Sequence, residues 1–243
     1  MRCSFISDLH LDSTMSERID AFHRFVLSES LWCDELYVLG DLTEVWIGDD
    51  DDSPFANRIR MELLSVSTNC RIFLMHGNRD FLVGPEFANA CGANLIDDPT
   101  VVERNGKRLL LCHGDAFCSD DVAYQATRAV LRSHAWQDDV LSRSLHDRRE
   151  LAASMRDQSR AANANKPTNI MDATERAVAD AQLRHHADVV IHGHTHRPGI
   201  HQILPSRSGN RYVLGDWYRC GWVLRFEDDF TLVRFPLGVR CET

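Results

Sequence analysis

Short apolar runs that stop at a glycine or at a metal-binding residue type recur along this chain. Cys3-Ser4-Phe5-Ile6-Ser7 runs into Asp8-Leu9-His10, and Glu35-Leu36-Tyr37-Val38-Leu39 into Gly40-Asp41. Arg71-Ile72-Phe73-Leu74-Met75 runs into His76-Gly77-Asn78-Arg79-Asp80, and Arg108-Leu109-Leu110-Leu111-Cys112 into His113-Gly114-Asp115. A fifth run, Asp188-Val189-Val190-Ile191, ends in His192-Gly193-His194-Thr195-His196. Apolar runs this short, bounded by turn residues, predict buried strands. From Asp8 to Asp41 is 33 positions, from Asp41 to Asn78 is 37 and from Asn78 to His113 is 35, each about one βαβ unit.

The stretches between the first runs carry helical patterns. Glu17 to Ser30 places Ile19, Phe22, Phe25 and Val26 on one face, and Pro54 to Ser65 opens on a proline suited to a first turn. Pro85 to Ala90 predicts a short helix, and Asn105-Gly106 predicts a type I′ turn in a hairpin over Val101 to Leu109. The interval from His113 to His194 is 81 positions, and its middle has almost no strand signal. Residues 121–183 are therefore expected to form a helical cap over the strand ends, inserted in a single domain of 1–243; Pro167 interrupts the pattern once. Arg211 to Trp217, Gly221 to Phe226 and Phe230 to Phe235 predict closing strands, antiparallel in succession. The fold class expected from this alternation is α/β.

Composition narrows the partners. The net charge is -9, which disfavours a nucleic-acid binder. Residues 140–184 hold eight Lys/Arg against six Asp/Glu, so the cap is the relatively basic part, with Arg143, Arg148, Arg149, Arg156 and Arg160 able to meet anionic lipid or pair with Asp147, Glu150 and Asp157. No run reaches the roughly 20 apolar residues of a membrane span, and the N-terminus lacks a secretory pattern. A cytoplasmic protein is expected. Its eight cysteines are scattered without a C-x-x-C pair, as buried free thiols would be.

The strand ends carry the chemistry. Asp8, His10, Asp41, Asn78, His113, His194 and His196 offer imidazole nitrogens and oxygens, a mixture suited to divalent first-row metals. Seven ligands are too many for one ion and suit two, about 3.5–4 Å apart, with Asp41 shared between them. Asp8 and Asp41 leave such a pair with a net positive charge of about two, which favours a phosphate ester. Arg79 can clamp the same phosphate with its fork of donors.

These motifs, Asp8-x-His10, Gly40-Asp41, Gly77-Asn78-Arg79-Asp80, His113-Gly114-Asp115 and Gly193-His194-Thr195-His196, resemble the signature of the calcineurin-like metallophosphoesterases. The resemblance spans residues 5 to about 197 and implies a four-layer αββα sandwich. By that likeness one metal takes Asp8, His10, Asp41 and His196, and the other takes Asp41, Asn78, His113 and His194. Asp41, Asn78, Arg79 and His113 are the implied catalytic residues. Gly40 to Asp50, Gly-Asn-Arg-Asp-Phe at 77–81, His196-Arg197-Pro198 and Gly215-Asp216-Trp217 are similar to a narrower family, the UDP-2,3-diacylglucosamine diphosphatases of lipid A biosynthesis. That likeness implies two Mn²⁺ ions, cleavage at the α-phosphate of a lipid-linked UDP-sugar to give UMP, and peripheral contact with the inner membrane. Implied substrate contacts are Asn78, Arg79, Asp121, Ser159, Asn163, Lys166 and His194, with Tyr124 beside them. Arg79 stands where many of the wider family carry a histidine assigned as proton donor, which leaves the general acid unassigned.

Other residues have plainer readings. His76 and His192 are expected to hydrogen-bond behind the ligands and Cys112 to lie in the core. Asp49-Asp50-Asp51-Asp52 is expected to be a solvated helix start, since it lacks the glycine and closing glutamate of a calcium loop. Two rival functions remain: the same chemistry on another phosphoester, as in a nuclease, and a non-catalytic scaffold. The acidic balance opposes the first, and a complete ligand set opposes the second.

Overall fold

The computed structural model describes residues 1–164, 166, 170–203 and 209–238, with the side chains of Asn163 and Ala164 outside that description. In chain order the elements are β1 (Cys3–Ile6), α1 (Ser16–Glu29), β2 (Glu35–Leu39), α2 (Pro54–Val66), β3 (Arg71–Met75), α3 (Pro85–Ala90), β4 (Ala93–Ile96), β5 (Thr100–Arg104) and β6 (Lys107–Leu111). A 3-10 turn at Asp115–Phe117 precedes α4 (Val122–Leu131), α5 (His134–Leu141), α6 (Leu145–Ala164) and α7 (Glu175–Arg184). The chain then forms β7 (Val189–His192), β8 (Gly199–Gln202), β9 (Asn210–Val213), β10 (Cys220–Phe226) and β11 (Phe230–Pro236).

The strands make two sheets, of six in the order β11-β10-β1-β2-β3-β4 and of five in the order β5-β6-β7-β9-β8. Strand alternation divides their side chains between two faces. Phe5, Tyr37, Leu39, Leu111, Ile191 and Phe226 interlock between the sheets. Ile6, Leu36 and Val38, one position off, turn instead to α1, α2 and α3. On the second sheet Leu110 and Val190 turn outward to Val178 and Ala179 of α7 and to Phe117. The result is helices, sheet, sheet, helices, the αββα order.

The predicted helices form where proline and serine favour them. Pro54 is the first residue of α2, and Ser53 caps it by accepting from the Ala56 amide at 3.2 Å. Asn105 and Gly106 both have positive φ, as a type I′ turn between β5 and β6 requires.

Four readings change in the folded chain. β4 and β8 have no counterpart among the predicted strands. β8 is a largely exposed edge strand, Gly-Ile-His-Gln, and so lacks the apolar signal that marked the others. β9 and β10 are not neighbours: β9 pairs parallel with β7 in the second sheet, while β10 pairs with β1 in the first. α7 packs on the second sheet, so of residues 121–183 the helices that reach the metal loops are α4, α5 and α6. Pro167 lies outside the described residues. The cysteines described are free, and Cys112 is in the core as expected.

The basic helices also pair differently. Instead of local pairs with Asp147, Glu150 or Asp157, Arg148 grips Asp50, Arg149 reaches Asp51 at 3.0 Å and Arg156 lies 3.7 Å from Asp12. The acidic run is thereby put to structural use. Asp49 accepts from the Gly84 and Phe87 amides, both at 2.9 Å, and Arg148 donates to the Ile47 carbonyl at 2.7 Å.

Candidate metal centre

The loops after β1, β2, β3, β6 and β7 meet at the carboxyl ends of their strands, where open α/β sheets place ligands. Backbone hydrogen bonds join them, from Asp8 N to Gly40 O (3.1 Å), His10 N to Asp41 O (3.0 Å) and Gly193 N to His113 O (2.8 Å). Asp8, His10, Asp41, His194 and His196 all have left-handed backbones, with φ of 55°, 48°, 53°, 64° and 54°. A side chain in that region is disfavoured, and its concentration at one place marks a functional site. The bends are also what let His194 and His196, two apart, aim into the same cleft.

Close approach of the loops depends on missing side chains. A Cβ on Gly77 would overlap both Asp41 Oδ1 and the Asp41 amide. A Cβ on Gly40 would stand 2.6 Å from the Gly77 backbone and from His113 Nδ1. Asp80 ties this turn together, its carboxylate accepting from the amides of Gly77 (2.8 Å), Leu42 (2.7 Å) and Asp41 (3.2 Å).

Two groups of donors flank Asp41. On one side His10 Nε2 and His196 Nε2 are 3.2 Å apart, with Asp8 Oδ1 3.5 Å from His196 and Asp41 Oδ2 3.8 Å from His10. On the other, Asn78 Oδ1 lies 2.9 Å from His113 Nε2 and 2.8 Å from His194 Nδ1, and Asp41 Oδ1 lies 3.8 Å from His113. Asp8, His10 and His196 form one set with metal-binding spacing, and Asp8, Asp41 and His113 another. Asp8 Oδ1 is buried without a hydrogen-bond partner among the described residues. A deeply buried carboxylate oxygen facing ring nitrogens fits a cation, and the seven donors fit two.

Burial and neighbouring charge pull the site's groups apart. Burial opposes charge on His113, but Asp41, Asp115 and Asp8 outweigh it and raise the imidazole to about 9. Burial, then the charge of His113, lowers His194 to about 3. Burial raises the carboxyl of Asp41, whereas the imidazole of His196 beside Asp8 Oδ1, then the charge of His113, overcomes burial at Asp8 and lowers it. Burial lowers His192 to about 4; its Nδ1 donates to Gly193 O at 2.9 Å, and His76 Nε2 lies 2.6 Å from Val83 O. Both are hydrogen-bonded behind the donor sets rather than within them.

The implied substrate contacts gather on the cap side. Tyr124 stacks on His194 with centroids 5.9 Å apart and donates its hydroxyl to Asp115 Oδ2 at 2.8 Å. Asp121 caps α4 and receives Lys166 Nζ at 2.7 Å. Ser159 is half-buried on α6; the Asn163 side chain lies outside the described residues. Arg79 sits instead beside the other donor group, its guanidinium 3.8 Å from Glu44 and its amide donating to Asp41 Oδ1 at 2.8 Å.

Sequence reasoning missed three supports of the site. Glu44 lies 2.9 Å from His10 Nδ1, and Tyr218 stacks on the His10 ring at 5.3 Å and 12°. Arg128 of α4 donates to Asp115 Oδ2 at 2.8 Å. Glu44, three residues after Asp41, was within the motif and open to recognition; nothing local announces Tyr218 or Arg128.

This strand-end donor set on an αββα frame defines the class: the chain belongs to the calcineurin-like phosphoesterase family, whose signature matches residues 1–198. Its nearer likenesses are to hydrolases. A UDP-2,3-diacylglucosamine hydrolase of Cellvibrio japonicus is 44% identical over 226 residues, covering 92% of this chain and 94% of that protein. Another, from Escherichia coli O7:K1, is 40% identical over 239 residues, covering 97% and 100%. The structure of an archaeal phosphodiesterase aligns with a TM-score of 0.50 at 13% identity, covering 97% of this chain and 100% of that one, a likeness of fold alone. The chain is thus a hydrolase of a dimetal-dependent family. Among the described residues no helix is long and apolar enough to cross a membrane.

Proposed function

We propose that the chain hydrolyses the diphosphate of UDP-2,3-diacylglucosamine, giving UMP and 2,3-diacylglucosamine 1-phosphate for lipid A biosynthesis. The observation that carries the reading is Asp41 standing between the two donor groups, Oδ2 3.8 Å from His10 and Oδ1 3.8 Å from His113, and the two hydrolases alike over nearly their whole length support the substrate. Asp8, His10, Asp41 and His196 would hold one ion, and Asp41, Asn78, His113 and His194 the other, both Mn²⁺. Bound there, divalent ions supply Lewis-acid polarisation of the phosphate and a water ionised near neutral pH.

The protein's own groups place the substrate. Arg79 neutralises and orients the α-phosphate, and Asn78 sits between His113 and His194 to fix the direction of approach. Water oxygen bonds to the α-phosphorus and gives up a proton to solvent while the bond from that phosphorus to the bridging oxygen breaks, the bond's electron pair leaving with the sugar 1-phosphate. A phosphate oxygen is a good leaving group, so the absence of a histidine after Asn78 is tolerable. Asp121, Tyr124, Ser159, Asn163 and Lys166 receive the acylated sugar phosphate under the cap. Its acyl chains bring the enzyme to the cytoplasmic face of the inner membrane, with exposed Val122, Val130 and Leu141 on the cap as apolar contacts.

The test is turnover of UDP-2,3-diacylglucosamine by metal-free protein with and without added Mn²⁺, products resolved by mass. UMP and the acylated sugar 1-phosphate, formed only with metal, are expected. No turnover with Mn²⁺, or UDP as product, overturns the reading.

A further inference from the structure

Resting on the dimetal reading above, we infer that Glu44 is a positioning residue serving both halves of the reaction: it orients the metal-binding His10 and directs the phosphate-binding Arg79. Its carboxylate has two uses at once. Oε2 lies 2.9 Å from His10 Nδ1, and Oε1 lies 3.8 Å from Arg79 Nη1. A carboxylate accepts only, so His10 carries its proton on Nδ1 and turns an Nε2 lone pair toward His196, Asp8 and Asp41.

Glu44 is itself well fixed. Its amide donates to Leu11 O at 2.9 Å, and a parallel bridge joins Leu11 to Thr43. The loops carrying His10 and Glu44 are therefore locked together before any metal binds. Two further contacts immobilise His10, and a third braces them. Tyr218 stacks on its ring, Arg18 lies over Tyr218 at 4.9 Å, and Arg18 Nη1 donates to the His10 carbonyl at 3.0 Å. Among the described residues Glu44 is the one group at hydrogen-bond distance from His10 Nδ1, the ring nitrogen away from the donor set, so it selects the tautomer.

The contact to Arg79 has a different character. At 3.8 Å it is a loose ion pair, and the Arg79 side chain is 26% exposed. It holds the guanidinium at the donor groups yet leaves its forked face able to engage an arriving phosphate. Losing the charge of Glu44 lets this long side chain wander, and substrate binding must then order it.

Two variants separate the uses. Glu44→Gln keeps an amide oxygen for the Nδ1 proton but removes the charge, while Glu44→Ala removes both. Mn²⁺ binding to metal-free protein is measured by calorimetry and by the electron paramagnetic resonance of bound Mn²⁺, with circular dichroism confirming the fold. Glu44→Ala is expected to weaken one of two Mn²⁺ sites roughly tenfold to a hundredfold and Glu44→Gln less than about threefold. In kinetics at saturating Mn²⁺, Glu44→Gln is expected to raise KM severalfold with kcat within about twofold. Wild-type Mn²⁺ affinity in Glu44→Ala overturns the role toward His10, and an unchanged KM in Glu44→Gln overturns the role toward Arg79. Wild-type protein that binds Mn²⁺ without hydrolysing UDP-2,3-diacylglucosamine defeats the substrate reading and leaves the metal-binding result standing.

Discussion

The imidazoles of His10 and His196 face each other nitrogen to nitrogen, Nε2 to Nε2, at 3.2 Å. Each has a carboxylate toward its other nitrogen, Glu44 at 2.9 Å from His10 Nδ1 and Asp216 at 3.6 Å from His196 Nδ1. Glu44 accepts the His10 Nδ1 proton, so the Nε2 lone pair of His10 is aimed at His196 beside Asp8 Oδ1, which has no hydrogen-bond partner among the described residues. A lone pair, a second imidazole and a carboxylate oxygen converging on one point make a donor set that a cation would tie together.

Metal should therefore stabilise the fold as well as enable turnover. At free Mn²⁺ near 100 times its dissociation constant, one site contributes about 2.7 kcal/mol. For a chain of this size that raises Tm by about 5–10 °C. Scanning calorimetry of EDTA-treated protein with and without Mn²⁺ measures it; an unchanged Tm would mean the donors do not act together.

Asp41 stands between the two donor groups, so Asp41→Ala takes a carboxylate oxygen from each. The expected loss in kcat is at least about a thousandfold, roughly 4 kcal/mol of transition-state stabilisation. Steady-state rates at saturating Mn²⁺ test this, and near-normal turnover would refute a shared aspartate.

Two glycine variants contrast packing with backbone strain. Gly106→Ala meets nothing within 4 Å but keeps a φ of +75°, so it should cost only about 1–2 kcal/mol of stability and leave metal binding intact. Gly77→Ala drives a methyl into Asp41 and should weaken Mn²⁺ binding more than tenfold. Denaturant melts and binding isotherms of the pair distinguish the two causes.

Arg148 fastens the cap to the body. It is 4% exposed and reaches Asp50, Ile47 O and Arg143 O, with Leu141 beside it over Gly48. Arg148→Ala leaves a buried carbonyl without its donor, at a cost of about 1–3 kcal/mol. Faster amide hydrogen exchange in α6, with β1 and β2 protected as before, is the expected result.

His192 sets an acid limit on the metal-free protein. Burial holds its folded-state pKa near 4, below the 6.5 of an exposed histidine. The unfolded chain takes up a proton first, so stability present above pH 6.5 is lost as pH falls toward 4, by on the order of 3 kcal/mol. His192→Asn, whose amide can replace the Nδ1 donor, should lose less stability across that window in urea titrations at pH 7 and pH 5. Parallel losses in both proteins would place the acid sensitivity elsewhere.

How these features divide between sequence and fold follows from the range of the forces involved. Strand existence was legible because Cys3 to Ile6, Glu35 to Leu39 and Val189 to His192 are buried on both faces, and such strands read as near-continuous apolar runs. The donors were legible because each lies within a few residues of its strand's carboxyl end. Partner choice was not: β9 and β10 have similar patterns yet join different sheets, since pairing depends on which edges the rest of the fold leaves open. β8 was silent because an exposed edge needs no apolar code.

By itself, then, the sequence determined which residues lie at strand ends and what atoms they offer to a metal or a phosphate, because both are local properties of the chain. Tertiary structure decided how those atoms face one another. It set the left-handed turns at five donors, brought Tyr218 onto His10 and placed Glu44 between His10 and Arg79. Such geometry comes from loops packed against loops from distant parts of the chain, and no pattern along a single segment encodes it.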